Sequence, residues 1–198
     1  MNYKLPTTII VNDREYAIRN NGDFRIVLDC FEALNDLELS DLEKYVSALY
    51  IFFTDFDDIE DILRLKESEL TELINKMFDF FKCGEADIVA NTNYKTIDWN
   101  NDAQLICSAV NKVAGTEIRA LPYLHWWTFL GYFSAIGESP LATVVSIRTK
   151  IVKGKKLEKY EREFQKDNPQ YFLWDARTQQ QKEEDELIKQ LWNNGGSV

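Results

Sequence analysis

Histidine is nearly absent from this chain: there is one, His125, among 198 residues. Cysteine is almost as scarce, with Cys30, Cys83 and Cys107 scattered and no Cys-x-x-Cys spacing. A structural zinc site needs four such ligands, usually in close pairs, so no zinc centre is expected. The odd, low cysteine count reads as reduced thiols, with Cys30 and Cys107 as small core residues. Gly-x-Ser-x-Gly, Gly-x-x-x-x-Gly-Lys and dinucleotide fingerprints are all missing, and Ser134, Ser139 and Cys107 have no motif around them. No stretch has the roughly 20 apolar residues that a membrane helix needs. The N-terminus lacks an apolar targeting segment, so the protein is expected in a cytoplasm. Basic charge is also short. Lys and Arg total 23 against 33 Asp and Glu, a formal net charge of -10. That balance argues against a general nucleic-acid binder, which needs a basic face to meet phosphates.

What the chain does have is apolar and aromatic content, 45% and 13%. This is enough for a core and excludes global disorder. The charge is uneven: residues 29–87 carry 17 acids against 5 bases, and residues 141–166 carry 8 bases against 3 acids. The densest feature is residues 121–136, where six of sixteen side chains are aromatic: Tyr123, Trp126, Trp127, Phe129, Tyr132 and Phe133. Pro122 suits a first helical turn and Gly137 a helix exit. Apolar residues lie all round such a helix, so it reads as a covered core helix with His125, Trp126, Trp127 and Phe129 at its centre. His125 is better read as a hydrogen-bonded structural residue than as a catalytic base, because no nucleophile stands in a motif with it.

Two charged runs invite other chemistry. Asp55, Asp57, Asp58, Glu60 and Asp61 fail as a calcium loop, since Glu60 stands at the glycine position and Lys66 at the final glutamate position. They read as a solvated helix start. Arg148, Lys150, Lys153, Lys155, Lys156 and Lys159 could meet phosphates, but Glu158, Glu161 and Glu163 interrupt them. They read as a charged helix surface or a dock for an acidic partner.

Periodicity places the elements. Thr7–Val11 and Glu15–Ile18 around Asn12-Asp13 form a β-hairpin, whose open edge could pair with a second chain. Asp23 opens a helix with Phe24, Val27, Leu28, Phe31 and Leu34 on one face. Ser40 and Glu43 have capping-box spacing before the next, with Leu42, Tyr45, Val46, Leu49, Tyr50 and Phe53 as its stripe. A short helix starts near Asp57 or Asp58, and a longer one at Glu67 or Ser68, closed by Gly84. Residues 85–96 read as a loop. Asp98 or Asn100 caps a helix ending at Gly115, and Pro140 starts another carrying Arg148 on its stripe. A last stripe over Leu157, Tyr160 and Phe164 stops at Asn168-Pro169. The expected fold is mainly α: one helical domain over 1–174 with the hairpin at 7–18, then a protruding polar C-terminal helix and flexible end over 175–198. That polar helix has only Leu187, Ile188, Leu191 and Trp192 as apolar positions, a stripe suited to docking on a partner or back on its own domain.

One order of features resembles a known family. Ile97-Asp98-Trp99, Leu105-Ile106, Leu124-His125-Trp126-Trp127-Thr128-Phe129, Ile136, Ser139 and Ile147-Arg148 resemble the gene-product-fifteen family of tailed phages of Gram-positive bacteria. Asp23-Phe24-Arg25 and Leu39-Ser40-Asp41 fit it too, and the likeness runs over about residues 7 to 166, with His125-Trp126-Trp127 its most specific piece. The resemblance implies a non-catalytic tail assembly chaperone acting in the host cytoplasm without cofactor or metal. Its implied partners are the tape measure protein and the tail tube protein, not nucleic acid or membrane. The hairpin edge leaves self-association open. The rival readings are a structural tail component retained in the virion and a host-directed interaction protein.

Overall fold

The computed structural model describes residues 4–84 and 96–172. The expected C-terminal helix over 175–198 and all but the last residue of the expected loop lie outside them. The chain is mainly helical, with a short N-terminal antiparallel hairpin. It forms two compact units, Met1–Asp87 with Val110–Ile136, and Ile88–Ala109 with Gly137–Val198.

The first unit opens with β1 (Thr8–Val11) and β2 (Arg14–Ala17), paired with Val11 opposite Arg14. Asn12 and Asp13 turn between them at φ 50 and 61, the left-handed pair that a two-residue hairpin needs and that Asn and Asp tolerate. Val11 and Tyr16 point inward and are fully buried. The Tyr16 hydroxyl donates to Glu69 at 2.5 Å, tying the hairpin to the fourth helix. Burial and that carboxylate push the phenol up to about 12.

Helix α1 (Phe24–Asn35) is capped by Asp23, α2 (Asp41–Phe52) by the Ser40–Glu43 box and α3 (Ile59–Leu63) by an Asp58–Asp61 box. Each cap satisfies amide N–H groups that the first turn leaves unpaired. Helix α4 (Glu67–Phe81) follows without a side-chain cap. Helices α1 and α2 pack closely through Val27, Cys30, Val46 and Leu49. Phe52 sits edge-on to Phe53, Phe80 and Phe81 at centroid distances of 4.8, 5.2 and 5.4 Å. A fully buried ring of this size contributes roughly 1.5–3 kcal/mol.

Two helix starts differ from expectation. Helix α6 is Trp126–Ser134, beginning four residues after Pro122 and stopping before Gly137. Residues 121–125 instead run outside helix, and Leu124 accepts from the Phe24 N–H at 2.9 Å. Helix α5 (Ala103–Ala114) begins later than Asp98 or Asn100. The Asp98 carboxylate accepts from the Asn100 and Asn101 N–H groups, so it closes a turn before the helix rather than capping it.

The second unit holds the start of α5, α7 (Pro140–Val152) and α8 (Lys159–Asp167). Ser139 caps α7, and Leu141, Val144 and Ile147 are buried on it. Gly154, at φ 63, ends it as the Lys155 N–H bonds the Lys150 carbonyl at 2.8 Å. Arg148 corrects the charged-surface reading: it is 4% exposed, and its guanidinium grips the fully buried Asp102 at 2.6 and 2.9 Å. Its other bonds go to the Thr96 carbonyl at 3.1 Å and the Tyr171 carbonyl at 2.9 and 2.7 Å. All five N–H groups of the fork are thereby in use. Glu161 is also buried and pairs with Lys150 at 2.6 Å, joining α8 to α7.

Candidate functional site

The first unit brings together the two segments that carry the sharpest sequence signature, Asp23-Phe24-Arg25 and Leu124-His125-Trp126-Trp127, which lie about a hundred residues apart. Asp23 starts the joint. Its carboxylate accepts from the Arg25 N–H at 3.0 Å, capping α1, and from the Leu124 N–H at 2.9 Å. The Arg25 guanidinium closes on both its oxygens at 3.0 Å and reaches the Leu121 carbonyl at 2.8 Å. Phe24 stacks on Phe129 of α6 at 4.8 Å, and Phe129 stacks on Trp126 at 5.4 Å.

His125 is the N-cap of α6. Its Nδ1 accepts from the Trp127 N–H at 3.0 Å. With Nδ1 accepting, the proton sits on Nε2, which donates to the Pro6 carbonyl at 3.0 Å. Both ring nitrogens are therefore engaged. Burial holds the imidazole below its ordinary pKa, against the Pro6 hydrogen bond and the Asp23 charge. The ring leaves no room for its neighbour: a Cβ on Gly22, which sits at φ +78, would meet Phe80 at 2.8 Å and His125 Nε2 at 3.1 Å. Only glycine fits there without displacement.

The two tryptophans act on a different helix. Trp126 Nε1 donates to the Phe81 carbonyl at 3.0 Å and Trp127 Nε1 to the Phe80 carbonyl at 2.8 Å. A helix leaves its last carbonyls without internal partners. Trp126 fills that need for the Phe81 carbonyl at the end of α4, Trp127 adds a donor to the Phe80 carbonyl that the Cys83 N–H also reaches at 3.0 Å, and the preceding imidazole fills the matching need at the start of α6. Trp126, Phe129 and His125 are buried to about 1% exposure, and Trp127 is half-buried. The arrangement locks hairpin lead-in, α1, α4 and α6 into one geometry; what it offers chemically is rigidity.

Beside it lies an open depression of about 580 Å³ lined by Asn20, Asn21, Asp23, Arg25, Pro122 and Tyr123. Its two charged groups are bound to each other, and the Tyr123 hydroxyl donates to the Asn21 carbonyl at 3.0 Å. Among the described residues no group of three or more His, Cys, Asp and Glu could hold a metal ion. No helix among them is long and apolar enough to cross a membrane.

The proposed docking residues Leu187, Ile188, Leu191 and Trp192 lie outside the described residues. The structure supplies other apolar side chains at the surface, two of them, Leu42 and Tyr45, from a stripe that periodicity assigns to α2. Leu42 is 54% and Tyr45 37% exposed on α2, and Ile59 and Leu63 are exposed together on α3. Acids surround them: Asp41, Asp57, Asp58 and Glu60 are all exposed. The signal was the width of the α2 stripe, broader than one packed face can cover.

No curated protein and no solved structure matches this chain. The bacteriophage Gp15 protein family matches residues 1–173, and the chain belongs to that family. It is thus a bacteriophage protein of the structural or assembly kind.

Proposed function

We propose that this chain is a non-catalytic tail assembly chaperone that binds the tape measure protein and helps recruit tail tube subunits in the host cytoplasm. Family membership over residues 1–173 is the observation that carries the reading. Two features of the molecule support it. The histidine and tryptophans of the signature are engaged in joining helices, which leaves the work to surfaces. Those surfaces carry Leu42, Tyr45, Ile59 and Leu63 among acids, a chemistry suited to covering the apolar face of a long helix while keeping the complex soluble.

A chaperone leaves before the particle is complete. Tagged chain taken from infected cells before lysis should carry the tape measure protein. Purified virions analysed by mass spectrometry should lack the chain. Virions that hold it at a fixed copy number would overturn the chaperone assignment in favour of a retained tail component.

A further inference from the structure

The two edges of the N-terminal hairpin differ. In a two-residue hairpin the closing pair, here Val11 and Arg14, exchanges hydrogen bonds, and pairs alternate from there. Thr8 and Ile10 on β1, and Glu15 and Ala17 on β2, therefore turn their N–H and C=O groups outward. On β2 this edge is closed at Ala17. The Ala17 N–H donates to the Asp55 carboxylate at 2.7 Å, and the Ala17 carbonyl accepts from the Thr54 N–H at 3.0 Å. Ile18 and Phe53 form a bridge just beyond. A side-chain acceptor and a crossing segment thus block pairing along β2, as edges that must not pair are commonly blocked.

On β1 the outward groups of Thr8 and Ile10 have no hydrogen-bond partner among the described residues. Ile10 is also 63% exposed, on the face of the hairpin away from Val11 and Tyr16. The strand reads Thr8-Ile9-Ile10-Val11, with no charge and no proline, in a chain of net charge -10. Charge and proline are usual means of spoiling an edge, and β1 has neither, with Ile10 left exposed on it.

We infer that β1 is a docking edge for β1 of a second copy of this chain, giving a two-fold, four-stranded antiparallel sheet in the order β2-β1-β1-β2. Self-pairing suits this strand because an uncharged sequence meets its own copy without opposing like charges. With Ile9 facing Ile9 across the axis, Thr8 and Ile10 of each copy pair with Ile10 and Thr8 of the other. About four N–H···O=C bonds form. Each Ile10 is partly covered by the partner strand. The interface is isologous and closes at two copies, because β2 offers no second edge.

Sedimentation equilibrium of the full chain over a concentration series tests this, with amide hydrogen exchange as a second readout. The wild type should shift from monomer to dimer as concentration rises, and the Thr8 and Ile10 amides should exchange more slowly as it does. Ile10→Pro removes an outward N–H that the hairpin does not use, and Ile10→Lys places two cations near one another across the axis. Both should lose the dimer, while Ile10→Val keeps it. Should Ile10→Pro misfold by circular dichroism, Ile10→Lys, substituted at an exposed site, carries the test. A wild type that stays monomeric throughout overturns the inference. So does a dimer that survives in folded Ile10→Lys, or an edge that captures only extended segments of other proteins.

Discussion

Replacing Arg148 by methionine should be among the most damaging single changes in the second unit. The substitution keeps an apolar stem of similar length but removes five N–H donors. It leaves the fully buried Asp102 carboxylate with the Asp98 N–H, at 2.9 Å, in place of a two-pronged cation. It also strips donors from the Thr96 and Tyr171 carbonyls. Breaking one side of a buried ion pair costs about 3–5 kcal/mol, because the remaining charge is uncompensated. At about 2–4 °C per kcal/mol for a chain of this size, the melting temperature should fall by roughly 6–20 °C. Removing the charge as well should return much of this. The double variant Arg148→Met with Asp102→Leu should regain more than half the loss, the shortfall reflecting the two carbonyls. Urea unfolding followed by far-ultraviolet circular dichroism, with slopes compared between variants, measures all three proteins. If Arg148→Met loses less than about 1 kcal/mol, or the double variant is no better than the single one, the argument from an uncompensated buried carboxylate is wrong.

Two further predictions concern the joint in the first unit. The folded state holds His125 at a lowered pKa, so it binds fewer protons than the unfolded chain, and stability must fall as pH drops through the unfolded value of about 6.5. The difference between wild type and His125→Asn, followed by thermal melting from pH 8 to 5, should therefore shrink on acidification; a difference that is flat or grows contradicts the neutral-cap assignment. Trp126→Phe should cost about 1–3 kcal/mol beyond lost packing, because the buried Phe81 carbonyl loses its donor. Trp127→Phe should cost less, since its site is half-buried and the Phe80 carbonyl keeps the Cys83 N–H; equal costs in urea titrations would contradict this.

Where a structural signal is local, it was legible in the sequence. Asp23, the Ser40–Glu43 pair, Asp58 and Ser139-Pro140 each announce a helix start within four residues, and each start is observed. Asn12-Asp13 likewise announces its own turn. Misreadings arose where a residue serves a distant partner. Asp98 is an exception, since its carboxylate binds the nearby Asn100 and Asn101 N–H groups and closes a turn ahead of the helix that its position suggests it caps. Pro122 suits a first helical turn, yet the aromatic helix starts at Trp126 with His125 as its cap. His125 takes that role here because its ring is fixed at Nε2 by Pro6, far away in sequence. Arg148 carried two signals, apolar-stripe position and basic run, and only the first described its surroundings. Its partner Asp102 lies 46 residues back, beyond any local pattern. Trp126 is buried and Trp127 half-buried, and that both donate to the end of another helix depends on where α4 ends in space.

The proposed chaperone role requires that this chain keep tape measure protein soluble. Its most direct test is co-expression of an insoluble tape measure fragment with and without the full chain, measuring the share of fragment left in the supernatant after centrifugation. The fragment should become soluble with the chain and copurify with it. Equal precipitation in both cultures, with the chain itself soluble and folded, would contradict it.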